Sequence, residues 1–378
     1  MNCNRRECIA STAGVIGIAG CSDDSDTDSS SDEIEQAGDE TQETHSDDNE
    51  AETHLTQEWA FETGGSTNTS AIGSELVYTS SGHQSNTLYA LNVENGAEEW
   101  SYRTEQGFDA GPTLDDEVLY IGSNEGYLYA FDAKSGEEEW RFEINGQTRA
   151  SPVAKDGTVY ATENSGEIYL IDAETGVEQD RIEGSNRAGQ INSLMSIDTE
   201  ELLIAGMRNG VRAYDLDTTN ERWLVETELD AYPSLTAANG VLFAAGMDRH
   251  IYAIDTDSGS IEWEVDSGQS IEHNPLVSDG LVYAGNHEGY LFAFDQETGE
   301  EEWRFDAGNL ISTSPALLDE YLCVFSNQTT VYVLDPESGA REGEFDLGSN
   351  ASSRPVSTDE RLYVGTDDGF LFSLTDDS

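Results

Sequence analysis

An all-β fold, an eight-bladed propeller of four-stranded antiparallel blades, is predicted by three observations: a forty-residue beat, a strand–turn–strand pattern inside each beat, and chain ends that complete one another. The beat is carried by the string AFDAKSGEEEW at 130–140. Its Asp position recurs at Asn92, Asp132, Asp172, Asp215, Asp255, Asp295 and Asp335, in steps of 40, 40, 43, 40, 40 and 40 residues. A period of this length with strand-like content implies units that cannot bury their apolar faces alone.

Within the copy that ends at Trp140, Gly111-Pro112-Thr113-Leu114 opens the first strand and Val118-Leu119-Tyr120-Ile121 makes the second. The turn Asn124-Glu125-Gly126 follows, where Asn and Gly tolerate positive φ. Tyr127-Leu128-Tyr129-Ala130-Phe131 is the third strand, aromatic and suited to a pleated, packed surface. Asp132-Ala133-Lys134-Ser135-Gly136 closes the hairpin: the Asp side chain caps its own turn and the Gly supplies the left-handed residue. The fourth strand carries the Trp.

Eight hairpins of second and third strands end near 91, 131, 171, 214, 254, 294, 334 and 374. Eight fourth-strand positions fall at Trp59, Trp100, Trp140, Asp180, Trp223, Trp263, Trp303 and Gly343. The first precedes any hairpin, and the last hairpin has no fourth strand after it. The segment around Trp59 is therefore expected to close the ring as the outer strand of the last blade, leaving no open edge. Residues 56–378 then form one domain whose core is a series of interfaces between blades, with the six tryptophans and the turn glycines Gly96, Gly136, Gly176, Gly259, Gly299 and Gly339 as docking residues. Asp180 and Gly343 lack the anchor, so their interfaces are expected to be the softest.

The pattern Ala-x-Asp-x-x-Thr/Ser-Gly-x-x-x-Trp, as in AFDAKSGEEEW, AIDTDSGSIEW (253–263), AFDQETGEEEW (293–303) and ALNVENGAEEW (90–100), resembles the tryptophan-docking motif of the quinoprotein, or PQQ-repeat, propellers. The resemblance covers essentially all of 56–378. It implies the eight-bladed scaffold; in catalytic members it also implies pyrroloquinoline quinone (PQQ), a calcium site with a catalytic Asp and, in alcohol-oxidising members, an adjacent Cys pair. A tryptophan–aspartate repeat would instead place Trp-Asp at the end of the third strand and Gly-His ahead of each blade, and neither recurs.

Arg5-Arg6 precede an uncharged run from Ile9 to Gly20, and Ile18-Ala19-Gly20 lead into Cys21. This resembles a twin-arginine signal peptide joined to a lipobox, which assigns 1–20 to the signal and makes Cys21 the lipidated first residue of the mature protein. Cys8 stands where a bulky apolar residue is usual in that signal. Twelve residues, many of them small, fall short of the roughly 20 needed to span a bilayer. Residues 21–55 carry 14 acids and no base and have little apolar content, so they are expected to form a solvated tether with about 30 Å of reach. Of four cysteines only Cys323 would remain unmodified, within the apolar strand Leu322-Cys323-Val324-Phe325, which suits a small buried hydrophobe.

The net charge is −60, and 56–378 alone hold 62 acids against 15 bases, with Lys134 and Lys155 the only lysines. Such a surface repels itself in dilute buffer and stays hydrated where molar salt shortens the screening length to about 3 Å. The composition points to a salt-in halophile, a haloarchaeal secreted type, and excludes nucleic acid and anionic membrane surfaces as partners of the domain.

No Cys-Cys pair occurs, the connections keep the beat within three residues of 40, and the six His show no zinc spacing and no nucleophile elbow near them. The reading is a non-catalytic module: a lipid-anchored monomer on the extracellular face of the cytoplasmic membrane that binds an unidentified protein or small ligand at one propeller face, with no cofactor and no metal. The alternative is a PQQ- and calcium-dependent dehydrogenase. Loops joining a fourth strand to the next first strand ring one channel mouth, and they hold Arg103, Arg149, Arg187, His273 and Arg354, a candidate anion-receiving funnel. The competing reading is that these bases neutralise neighbouring carboxylates. Sequons at Asn68, Asn327 and Asn350 fit glycosylation of an exported protein.

Overall fold

The computed structural model describes residues 55–376 except 69, 83–84, 185–190, 198–200 and 228–233. Every element in it is a strand, gathered into eight four-stranded antiparallel sheets. Blades one to seven run in chain order over 71–103, 113–143, 153–182, 191–226, 234–266, 276–306 and 316–346. Blade eight takes its first three strands from 356–376 and its fourth from Leu55–Glu62, which pairs antiparallel with Phe370–Asp376, Trp59 lying opposite Ser373. The ring therefore closes through the Trp59 strand, and no blade presents an unpaired edge at a seam.

Turn chemistry sets the register. First and second strands are joined at Asp156-Gly157, Asn239-Gly240 and Asp279-Gly280 with positive φ at both residues, the mirror-image turn whose twist matches that of the flanking strands. Of the Asn124-Glu125-Gly126 turn only Gly126 is left-handed. At the turn before the fourth strand, the Asp132 carboxylate accepts the Ser135 backbone N–H at 2.7 Å. The same bond recurs at Asp172, Asp215, Asp255, Asp295 and Asp335.

The core is a set of seams. Each of the eight buried apolar clusters joins two neighbouring blades: Leu88 and Ala90 of blade one pack with Ile121 and Phe131 of blade two, and Trp59 and Tyr363 of blade eight with Val77 and Leu91 of blade one. Every Trp reaches across to the turn of the following blade. Its indole N–H donates to a carbonyl there, from Trp59 to Val93 through Trp303 to Pro336, at 2.8 to 3.2 Å. Its ring lies against the turn glycine. A Cβ built on Gly136 would stand 2.5 Å from the Trp100 ring, and the five equivalent glycines are as close, at up to 2.7 Å. These glycines hold φ between 68° and 72°, so a side chain there meets both a ring and backbone strain.

The Ala of the motif has a structural cause as well. Ala90 pairs with Tyr78 on one side and Trp100 on the other, and the two rings tilt over it with centroids 6.0 Å apart. Ala130 lies in the same way between Tyr120 and Trp140, and Ser373 between Tyr363 and Trp59. A larger residue at the centre would push the rings apart.

Candidate ligand site in the propeller channel

The loops that lead from each fourth strand into the next first strand converge on a cavity of about 570 Å³ lined by seven of the eight blades. Near the start of the first strand the lining takes alternate residues in some blades, as Asp109 with Gly111 and Arg149 with Ser151, and consecutive ones in others, as Ser352, Ser353 and Arg354. The polar lining is braced. Asn68 donates from Nδ2 to Ser80 Oγ at 3.1 Å and to the Phe108 carbonyl at 2.5 Å, and Asn274 donates from Nδ2 to the Leu235 carbonyl at 2.6 Å. Asp109 is the only carboxylate among the described lining residues, and its Oδ1 accepts from Asn124 Nδ2 at 2.8 Å.

Two of the five residues read as a funnel, Arg149 and Arg354, line this cavity together. Arg103 does not: it ends the outer strand Glu98–Arg103, opposite Thr87, and points to solvent. His273, half-buried, sits one residue before the lining Asn274 and is not among the residues that line the cavity. Burial, aided by the neighbouring His287, pushes its pKa down to about 4, so the ring is neutral near pH 7. Arg187 lies outside the described residues.

Neither Arg149 nor Arg354 has a carboxylate partner among the described residues. The remaining bases of the described domain, Arg103 apart, are all engaged: Arg361 with Glu58 at 2.6 Å, Arg222 with Asp257 at 2.7 Å and Arg304 with Glu301 at 2.6 Å are examples. Arg354 reaches channel solvent yet is crowded by the surrounding ring, and this desolvation alone lowers its pKa below the usual guanidinium value. The residues that sequence reasoning missed are the amides. Asn192 and Asn274 gave no signal, and Asn68 was noticed only as a sequon.

That sequon asparagine uses both Nδ2 hydrogens inside the channel wall, where a glycan would replace one of them. Asn327 is exposed on the turn between Tyr321–Phe325 and Thr330–Leu334, and Asn350 is half-buried beside Ala351. Cys21 lies outside the described residues. Cys323 is fully buried, and burial pushes its thiol up to about 12, as suits an inert core residue.

The donor set does not suit calcium with a planar quinone. Calcium takes six to eight oxygen ligands with several carboxylates among them, whereas the described lining offers one carboxylate, already engaged. No group of three or more His, Cys, Asp or Glu side chains able to hold a metal occurs among the described residues. The described lining contains no aromatic ring for a quinone to stack upon.

The sequence-family model described as outer membrane protein assembly factor BamB, a PQQ-repeat model, matches residues 84–227, 207–342 and 287–378. The chain belongs to this PQQ-repeat family. BamB from Moraxella catarrhalis superposes on this PQQ-repeat propeller with a TM-score of 0.74, over 85% of this chain and 99% of its own, at 19% identity. The quinohemoprotein alcohol dehydrogenase from Comamonas testosteroni gives 0.71 over 85% and 76% at 14% identity. The computationally designed Ika8 protein gives 0.73 over 83% and 97% at 16% identity. An assembly factor, an enzyme and a design thus share the scaffold, which separates fold from chemistry. No curated protein matches the chain by sequence.

Proposed function

We propose that this PQQ-repeat propeller is a binding and scaffolding module with no catalysis and no cofactor, held on the extracellular face of a halophile's cytoplasmic membrane by a lipid on Cys21 and engaging a protein or small ligand at one propeller face. One observation carries the reading: among its described residues the channel mouth collects amide, hydroxyl and guanidinium groups, which hold a ligand, around one carboxylate that is already hydrogen-bonded. A general base or metal centre needs a free or coordinating carboxylate, imidazole or thiolate there. The family's description as an assembly factor supports a protein partner. The acid-rich surface supports work in molar salt, and the tether of 21–55 supports a domain held clear of its anchor.

Two measurements test this. Fractionation in high salt is expected to find the wild type in membranes and Cys21→Ser in the medium; equal partition of both would remove the anchor. Purified protein supplied with PQQ, calcium, a panel of alcohols and an artificial electron acceptor is expected to show no reduction of the acceptor. Turnover above the cofactor-only background would replace the module with the dehydrogenase.

A further inference from the structure

We infer that the channel mouth is a binding site for a small multivalent oxyanion, a di- or tricarboxylate or a pyrophosphate-type ligand, clasped between Arg149 and Arg354. The inference deepens the module reading by assigning a ligand class to the same cavity. It begins from a contrast of charge. Over residues 56–378 acids outnumber bases by 62 to 15, so a base has carboxylates within easy reach almost anywhere on the surface. Lys134 finds Glu75 at 3.8 Å, Arg249 finds Asp266 at 3.7 Å and Arg181 finds Glu178 at 2.8 Å.

Arg149 and Arg354 stand on blades three and eight and face one cavity, with no carboxylate partner among the described residues. Among the described residues the lining carries two cations and one anion, the reverse of the rest of the domain. Asp109, that one anion, is tied to Asn124.

Crowding of Arg354 with no carboxylate partner among the described residues is a cost to its charged form, while Arg149 stands exposed at the channel. That cost falls when an oxyanion arrives, since guanidinium presents paired N–H donors that match two oxygens of carboxylate or phosphate. Two such groups in one cavity select a ligand with at least two anionic centres. Asn192 and the Ser151 hydroxyl in the lining add neutral donors. At about 570 Å³ the cavity is in the range that holds a small molecule.

The test uses the full chain in molar KCl with EDTA, titrated at fixed ionic strength with citrate in one arm and inorganic pyrophosphate in the other. Near saturation, a melting-temperature rise of about 3 to 5 °C is expected. Arg149→Ala together with Arg354→Ala should abolish it, whereas Arg103→Ala, which removes an equally unpartnered arginine outside the channel, should leave it intact. General stabilisation by these salts acts on all three proteins alike and cancels in the comparison. Calorimetric titration of folded protein at 25 °C gives the same answer without melting: at least a tenfold weaker association in the double variant supports the site. A response to citrate alone assigns a carboxylate ligand, and a response to pyrophosphate alone assigns a phosphate.

A flat response to both salts, or a response undiminished in the double variant, overturns the inference. Either result leaves the membrane and turnover experiments standing, and turnover with quinone would overturn the module while leaving the anion response readable.

Discussion

The seam between blades two and three and the seam between blades three and four do the same job with different parts. At the first, Trp140 hydrogen-bonds to the Ala173 carbonyl at 2.8 Å and lies on Gly176, with Ala130 and Tyr120 beneath it. At the second, Asp180 stands where the Trp would be. Leu170 stands where the Ala would be, and Thr219, left-handed at φ 58°, stands where the Gly would be. The three changes belong together: without a ring overhead the centre of the sheet has room for Leu, and the turn no longer needs a residue without a Cβ. The anchor is thus a unit of ring, small centre and bare turn, and losing one part releases the constraint on the others.

The seam between blades seven and eight lacks a Trp for another reason. Blade eight receives its fourth strand from Leu55–Glu62, so no turn joins its third and fourth strands and a ring from blade seven would have no bare glycine to rest on. Gly343 occupies the position, with Val333 and Cys323 in place of Ala and Tyr. Twelve buried residues, among them Phe325 and Leu55, fill that seam, against nine described at the seam of blades three and four.

The largest effect that would break this comparison is Trp140→Ala. Loss of the buried ring is expected to cost about 3–5 kcal/mol, read as a lower denaturant midpoint in molar salt; a change below about 1 kcal/mol would mean that the ring is not the anchor. Gly136→Ala places a methyl 2.5 Å from the Trp100 ring at φ 72°, with an expected cost of about 2–4 kcal/mol. Thr219→Gly, at the unanchored seam, should instead be neutral or stabilising within about 1 kcal/mol.

Rebuilding the anchor sharpens the contrast. Asp180→Trp alone should destabilise by about 1–3 kcal/mol through overpacking. Combined with Leu170→Ala and Thr219→Gly it should recover that loss and gain about 1 kcal/mol over the parent. A triple variant no more stable than the single one would refute the coupling.

Acid titration should give the smallest contrast. Hydrogen bonds from the Thr175 hydroxyl and N–H hold Asp172 below its ordinary value of 3.8, and those from Thr218 hold Asp215 below it in the same way. A carboxylate with a lowered folded-state pKa stabilises above its unfolded value, and the stabilisation is lost as pH falls through the folded value. Both seams should therefore weaken together below about pH 4. In molar salt the wild type and Trp140→Ala should lose midpoint with parallel slopes, and diverging slopes would show that the turns, not the rings, distinguish the seams.

Much of the fold was legible from residue spacing. The hairpins, the docking tryptophans and the closing strand at Trp59 follow from a repeat whose parts are local in sequence, since a turn, its capping Asp and its strands lie within a dozen residues. The channel was legible only in part. Arg149 and Arg354 were noticed because bases are rare in this chain, but Arg103 and His273 were grouped with them for lying in equivalent loops. Arg103 ends an outer strand and His273 lies one residue from the lining Asn274, and membership of an equivalent loop does not resolve such steps. Asn192 and Asn274 were invisible for the same reason, since an amide has no sequence signal until seven blades bring their loops to one axis.

By itself, the sequence determined that eight units of four strands stack and close, because each unit repeats the same turn chemistry and leaves the same apolar faces unburied. It also determined the acidity that makes an unpaired arginine unusual here. Only the tertiary structure decided why the motif carries Ala and Gly with its Trp, since the ring touches a neighbouring blade some 33 residues on. It alone decided which arginines meet, because residues 149 and 354 share a cavity only once the ring has closed.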